Sequence, residues 1–307
     1  GRNGINGFYR GATAAAIADA IKQRDGFITR QDLATHRSQW VEPVVFPYRD
    51  TVVYELPPPT VGLVAAAMAI RLEAGQDFRA ARDASYALRD RYITDPDFFS
   101  APFEAFFDSQ SVTSGKVDTA ARAGDTCYLT AADEQGNVVS MIQSVAYDFG
   151  SGIVAEGTGM LLQNRGAYFK LDPGHVNRLE PKKRTMHTLI PAMAARDGKA
   201  WASFGTMGGP RQPQLQVQVL RNLVNEGLEP AEAVARPRKM ILNDGVTLAV
   251  EADYPGAGGM ARSDSRVMLM PARHQSFGHA HAILIDRPGE WRAGADPRSD
   301  GSVEYSR

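Results

Sequence analysis

The stretch Gly124-Asp125-Thr126-Cys127-Tyr128-Leu129-Thr130-Ala131-Ala132, the turn Asp133-Glu134-Gln135-Gly136, and the run Asn137-Val138-Val139-Ser140-Met141-Ile142-Gln143-Ser144-Val145-Ala146-Tyr147 decide the fold. Residues 126–132 and 137–147 alternate in polarity, as strands with one covered face do. Glu134-Gln135-Gly136 suits a three-residue hairpin loop, a type I turn closed by a left-handed glycine. Asp133 then faces Asn137, and the register carried back along the pair sets Thr126 opposite Ser144 on one face of the sheet.

Upstream, residues 108–125 turn to Ser, Thr, Gly, Lys and Ala with little apolar periodicity, and read as an exposed linker in which a chain cut would be tolerated. Before it the signals are mostly helical. Helices are expected over 12–23, from an N-cap at Thr29, and over 61–72 and 78–91, with a strand over 49–56 that runs into Pro57-Pro58-Pro59. That half reads as scaffold. Downstream, 200–204 reads as a buried strand entering Gly205-Thr206-Met207-Gly208-Gly209-Pro210. A helix striped by Leu215, Val219 and Leu223 follows, with Gly227 as its stop. Late strands are expected over 246–251 and 282–286, then a polar tail from Asp296.

The chain has 307 residues, 43% of them hydrophobic, with 34 Lys and Arg against 35 Asp and Glu. Scattered charge of both signs, net −1, excludes the clustered excess of cations that a nucleic acid or anionic membrane would require. The longest apolar run, 61–70, is too short for a membrane span. The composition reads as soluble, with the cytoplasm favoured over the periplasm and no targeting segment to decide between them. One cysteine makes no internal disulfide.

Familiar constellations are mostly missing. No nucleotide P-loop is present, and Gly150-Ser151-Gly152 lacks the third glycine of a dinucleotide fingerprint, so a bend is the better reading. His279 and His281 have no acidic or cysteine neighbour, so no metal and no cofactor are expected. The junction Asp125-Thr126 is more informative. A hydroxyl at the head of a strand, directly after a linker, is what an N-terminal nucleophile requires: the chain is cut before the threonine, and the freed α-amine serves as general base for its hydroxyl. Such an amine titrates near pH ~8, so no separate histidine is needed. The plainer alternative is an ordinary β-branched strand residue. Ser144 can hydrogen-bond the Thr126 hydroxyl, and Gly208 and Gly209 offer two consecutive N–H groups at a strand-to-helix turn, where an oxyanion would be stabilised.

In order, Thr126-Cys127-Tyr128, the 133–137 turn with Val139-Ser140, Phe149-Gly150-Ser151-Gly152-Ile153-Val154, Gly159-Met160-Leu161-Leu162-Gln163-Asn164, Lys183-Arg184, Gly208-Gly209 and Asp296-Pro297-Arg298 resemble the γ-glutamyltranspeptidase family. Phe8-Tyr9-Arg10-Gly11, Thr29 with Asp32-Leu33, Tyr48-Arg49, the proline run and Asp95-Pro96-Asp97-Phe98 resemble that family's large subunit. The resemblance implies an α+β fold, a four-layer αββα sandwich of the N-terminal nucleophile hydrolase type. It implies self-cleavage at Asp125–Thr126, so that residues 1–125 correspond to the C-terminal part of the large subunit and 126–307 to the small one, the two products staying associated. It also implies a further N-terminal segment outside this chain. By position, Thr126 is the nucleophile, Ser144 contacts it, and Gly208 and Gly209 form the oxyanion pair.

For the substrate the departures matter more. Where glutathione-using members of the family have Asn, Gln and an amine-binding Asp, this chain has Ala146, Arg165 and Tyr168, and His187 and Thr188 replace a carboxylate-holding serine pair. The amine contact is lost and a cation is gained. The expectation is an amidohydrolase or acyltransferase for a small carboxylate-bearing amide, in the manner of the oxamate amidohydrolase-like branch. A true γ-glutamyltransferase, an uncleaved scaffold, and a serine hydrolase built on Ser144 or Ser203 are the alternatives. Cys127 is expected as a buried small hydrophobe, and Lys182-Lys183-Arg184 as a solvated turn.

Overall fold

A computed structural model describes residues 4–111 and 124–305, so most of the expected linker lies outside the described residues. Before it come helices α1 (Asn6–Tyr9), α2 (Ala12–Lys22), α3 (Arg30–Thr35), α4 (Gly62–Glu73), α5 (Phe78–Tyr92) and α6 (Phe103–Phe107), with strands β1 (Val44–Tyr48) and β2 (Thr51–Glu55) between α3 and α4. After it come β3 (Gly124–Ala132), β4 (Val138–Tyr147), the short β5 (Val154–Ala155) and β6 (Met160–Leu161), β7 (Ala192–Arg196) and β8 (Lys199–Thr206). Then follow α7 (Gln212–Val224), α8 (Pro230–Ala235), β9 (Lys239–Ile241), β10 (Leu248–Glu251), α9 (Ala257–Ser263), β11 (Val267–Met270), β12 (Ala280–Arg287) and β13 (Glu290–Ala295).

The expected helices form, and Thr29 caps α3 in a reciprocal box with Asp32. Strand β1 escapes the sequence pattern because Pro47 interrupts it; it is tolerated there because β1 is an edge strand, tied to β2 by a tight turn with Arg49 at φ 53°. The main sheet runs β1-β2-β7-β8-β12-β13, antiparallel throughout. Its β2–β7 pairing joins strands from either side of the junction, so the two segments share one sheet.

Alternation along these strands separates two faces. Phe46, Ala194 and Phe204 pack with Met68 of α4 and Val219 and Leu223 of α7, placing the helices on one face. Ser203 and Gly205 of β8 look the other way, where the β3–β4 hairpin lies across them. The Tyr128 ring covers Gly205 so closely that an added Cβ would stand 2.4 Å from it, and the Tyr128 hydroxyl bonds Ser140 at 2.8 Å and Ser203 at 3.2 Å. Burial pushes that phenol up to about 12, so it stays neutral. Helices, a six-stranded sheet and a second, two-stranded sheet thus form layers. Among the described residues the hairpin's outer face is bare: Leu129, Val139 and Met141 are exposed, and so is Cys127. Alternation did turn Cys127 away from Ser144, but no layer covers it, which corrects the expectation of a buried thiol.

The tail is polar as expected, but its first residues are interior. Arg238 pairs with Asp296 at 2.6 Å, Asp296 with Arg298 at 3.0 Å, and Arg298 with Glu251, all four side chains out of contact with solvent. Two cations and two anions balance, and most of the spare donors are used, the Arg238 Nε being left without a partner. Arg238 reaches the carbonyls of Phe277 and Gly278, and Asp296 accepts from Ala280 N–H. Burial pushes the Asp296 carboxyl up, but the two guanidiniums outweigh it and hold it below the usual carboxylate range. Its stabilisation is therefore complete above pH ~4 and lost as pH falls through the lower folded-state value. Asp296→Asn leaves two buried guanidiniums facing one carboxylate, and should lower the unfolding free energy in urea by about 3–5 kcal/mol. A loss below about 1 kcal/mol would show that the cluster contributes little.

Candidate active site

The hairpin register is the expected one. Asp133 N–H donates to Asn137 O at 3.0 Å, Gly136 takes φ 84°, and Thr126 stands opposite Ser144. The Thr126 hydroxyl donates to Ser144 Oγ at 2.9 Å, and Thr126 is only 8% exposed. Ser144 Oγ also accepts from Ala146 N–H at 2.9 Å, so the acceptor is held by its own strand. With its proton committed to Ser144, the Thr126 oxygen keeps its lone pairs free for other contacts.

The register slips between Asp125 and Thr126. Asp125 pairs with Ala146, not Val145, so Val145 is an extra residue and the regular ladder stops at the 125–126 peptide. The bulge forces Ala146 to φ 80°, where a side chain costs about 1 kcal/mol. Asparagine tolerates that region better than alanine.

Gly208 and Gly209 occupy the turn between β8 and α7 at φ 152° and 54°. Gly208 has no room for a side chain, since a Cβ would meet Leu215 at 2.7 Å. The residue just before β12 holds the entry to the turn through Met207 N–H to His279 O at 3.0 Å, and His279 lies between the two points that the buried ion pairs grip, Gly278 and Ala280. Ser203 is not available for chemistry: it is fully buried, and Thr130 and Tyr128 occupy its hydroxyl.

The four expected binding residues form a second group. The Arg165 guanidinium lies 4.9 Å from the centre of the Tyr168 ring and donates to Thr188 Oγ1 at 3.2 Å. Among the described residues no carboxylate pairs with it. Burial pushes the Tyr168 phenol up to about 12, with Arg165 pulling the other way, so it remains a neutral hydroxyl. His187 is fixed by its N–H on Pro59 O and by its Nδ1 accepting from Leu189 N–H. Burial first, then the Arg165 charge, hold His187 down to about 4, so the added cation at neutral pH is Arg165 alone.

Arg165 and His187 line a cleft of about 1720 Å³ with Pro57–Pro59, Asn164 and Arg184. Thr126, Ser144, Gly208 and Gly209 do not line it. The two groups connect through Asn164, which bonds Val145 O and Tyr147 N–H, and through the Tyr147 and Tyr168 rings 5.7 Å apart. Of Lys182-Lys183-Arg184, expected as a solvated turn, Lys182 is exposed in a turn, but the other two are engaged. Lys183 is buried on Glu180 and Val176 O, and Arg184 pairs with Asp95 at 2.6 Å, tying the cleft wall to the segment before the junction. Sequence reasoning missed Arg238 and Glu251, which carry no local pattern; Asp296 and Arg298 were visible only as a motif. No group of three His, Cys, Asp or Glu that could hold a metal occurs among the described residues.

A profile described as Gamma-glutamyltranspeptidase matches residues 1–306, and the chain belongs to that family. Its fold is that of the N-terminal nucleophile hydrolases: it superposes on a cephalosporin acylase from Bacillus halodurans with a TM-score of 0.85 at 33% identity, over 97% of this chain and 59% of that one. Among its relatives are the glutathione hydrolase-like YwrD proenzyme of Bacillus subtilis, 33% identical, and the oxamate amidohydrolase proenzyme of Klebsiella pneumoniae, 31% identical. Each match covers 98% of this chain and 62% of the relative's length.

If His187 is held neutral as described, its NMR resonances should not titrate between pH 5 and 8. A midpoint near the ordinary value of about 6.5 would contradict that environment.

Proposed function

We propose that the protein is an amidohydrolase with acyl-transfer capacity, that it cuts its own chain between Asp125 and Thr126, and that it acts on small amides whose acyl part bears a carboxylate and no α-ammonium group. The observation that carries this is the Thr126–Ser144 hydroxyl pair, the first in-register pair after the bulge at the 125–126 peptide. In self-cleavage, Thr126 Oγ adds to the Asp125 carbonyl carbon, the C–N bond breaks, and the hydroxyl proton goes to the departing Thr126 nitrogen. Water hydrolyses the resulting ester, leaving the Asp125 carboxylate and a free α-amine on Thr126. In turnover that amine takes the hydroxyl proton while Oγ adds to the substrate carbonyl. Gly208 and Gly209 N–H groups stabilise the oxyanion, the proton leaves with the amine product, and water or another amine resolves the acyl-enzyme.

The two cleavage products, 1–125 and 126–307, stay associated in this reading, supported by the β2–β7 pairing and the Asp95–Arg184 bridge. Arg165 supports the carboxylate, since a guanidinium without an acidic partner forks readily onto one. Tyr168 argues against glutathione, because no carboxylate stands there to hold an ammonium group, and leaving that group unpaired costs roughly 2–3 kcal/mol, about a hundredfold in rate. The name of the Klebsiella relative fits this substrate class; that of the Bacillus subtilis relative points to glutathione, and residues 165 and 168 favour the former.

Oxamate and succinamate should be turned over with kcat/KM at least about a hundredfold above that of γ-glutamyl-p-nitroanilide. Comparable values would remove the substrate assignment. Thr126→Ala should abolish turnover and Thr126→Ser should retain part of it; activity surviving in Thr126→Ala would remove the nucleophile. Arg165→Gln should raise KM for the carboxylate amides about tenfold or more with little change in kcat, reflecting lost ground-state binding.

A further inference from the structure

Tyr86 lies on α5, in the segment that reads from sequence as scaffold. Only 2% of it is exposed, and its ring lies between two guanidiniums, Arg82 at 4.5 Å and Arg89 at 4.6 Å from the ring centre. Its hydroxyl donates to the carbonyl of Pro210 at 2.6 Å, across the junction and 124 residues away in sequence. Pro210 is the residue after Gly208-Gly209.

The hydrogen bonds continue from there. The Pro210 carbonyl shares a peptide group with Arg211 N–H, which donates to Gly208 O at 3.1 Å. The Gly208 carbonyl shares a peptide group with Gly209 N–H. Tyr86 hydroxyl, peptide 210–211 and peptide 208–209 are thus linked head to tail, and the free end of the series is the Gly209 N–H. Such a series fixes the planes of both peptides, and each bond polarises the next. The fixing is needed: two consecutive glycines at φ 152° and 54° have little intrinsic preference for that geometry. His279, just before β12, already holds the entry at Met207, so Tyr86 supplies the hold at the exit. Burial first, against the two guanidiniums, pushes the Tyr86 phenol up, so it remains a donor at neutral pH.

We propose that Tyr86 is a positioning residue for the oxyanion donor Gly209 N–H, acting through the 210–211 and 208–209 peptides, so that the segment before the junction contributes indirectly to stabilising the transition state. The proposal rests on the reading of Gly208 and Gly209 as oxyanion donors, and deepens it. A misaimed donor loses its transition-state interaction without disturbing substrate binding.

The test is Tyr86→Phe, which keeps the ring and its packing and removes only the hydroxyl. It is compared with wild type for kcat and KM on succinamate, for melting temperature, and for affinity towards a carboxyalkyl boronic acid, whose tetrahedral threonine adduct places an oxygen where the oxyanion forms. The expected result is a kcat about 10–30-fold lower, less than the loss of a direct donor, with KM within about twofold. Boronate affinity should fall by the same factor as kcat, and binding of succinate, a ground-state ligand, should not change. Replacement of Tyr86 by 4-aminophenylalanine retains a weaker donor and should give an intermediate loss in both quantities; it also serves if Tyr86→Phe does not fold. Unchanged kcat and boronate affinity in Tyr86→Phe would overturn the proposal. So would KM, succinate binding and melting temperature all deteriorating together, the mark of a packing role. If wild type itself forms no boronate adduct, the oxyanion reading fails and this proposal with it; if wild type and Tyr86→Phe bind it equally, only the positioning role fails.

Discussion

A three-residue turn at 134–136 fixes how β3 pairs with β4, and that pairing constrains everything else at the site. Because side chains alternate, a slip of one residue would turn Thr126 to the outer face and bring Cys127 inward. The observed register points Thr126 inward at Ser144 and sets Tyr128 over Gly205, where its hydroxyl engages Ser140 and Ser203. The same pairing then breaks at a single place. Val145 is the unmatched residue, and the ladder departs from its register at the Asp125–Thr126 peptide. Regular pairing thus holds the hydroxyl, and irregular pairing exposes the adjoining bond to a different geometry.

Charge is distributed with equal economy. Behind the glycine turn, Arg238, Asp296, Arg298 and Glu251 neutralise one another out of solvent and grip the backbone around His279, which in turn holds Met207. At the cleft, Asp95 neutralises Arg184 and Glu180 neutralises Lys183. Arg165 has no such acidic partner among the described residues, and neither neutral Tyr168 nor neutral His187 competes with it. Under the proposed function, an anionic group on the ligand would complete a pair with Arg165; the carboxylates that line the same cleft, Asp32, Asp97 and Glu180, already engage Thr29, Arg184 and Lys183.

The elements with a local period were legible in the sequence. The hairpin, its register, the helices over 62–73 and 78–92, the Thr29 cap and the strand–glycine–helix unit all follow from alternation, helical spacing and turn chemistry. Strand β1 was hidden because Pro47 argues against a strand unless the strand is known to lie at an edge. Burial was the weaker part. Cys127 looked like an interior residue, yet no described layer covers its face; Arg298 looked like a tail residue, yet it is sealed by partners 47 and more positions away. Of the candidate site, the Thr126–Ser144 pairing and the glycine turn could be read from hairpin register and the strand–turn–helix pattern, whereas their roles rested on the family resemblance. The residues that hold them, Arg238 and Tyr86, act through contacts between distant parts of the chain, and such contacts leave no local pattern.

Cleavage of the Asp125–Thr126 bond is tested most directly by N-terminal sequencing with intact mass of the purified protein. Such cleavage predicts two associated polypeptides, the second beginning Thr-Cys-Tyr at residue 126. A single uncut chain, or a cut that leaves any residue other than Thr126 at the new N-terminus, would contradict it.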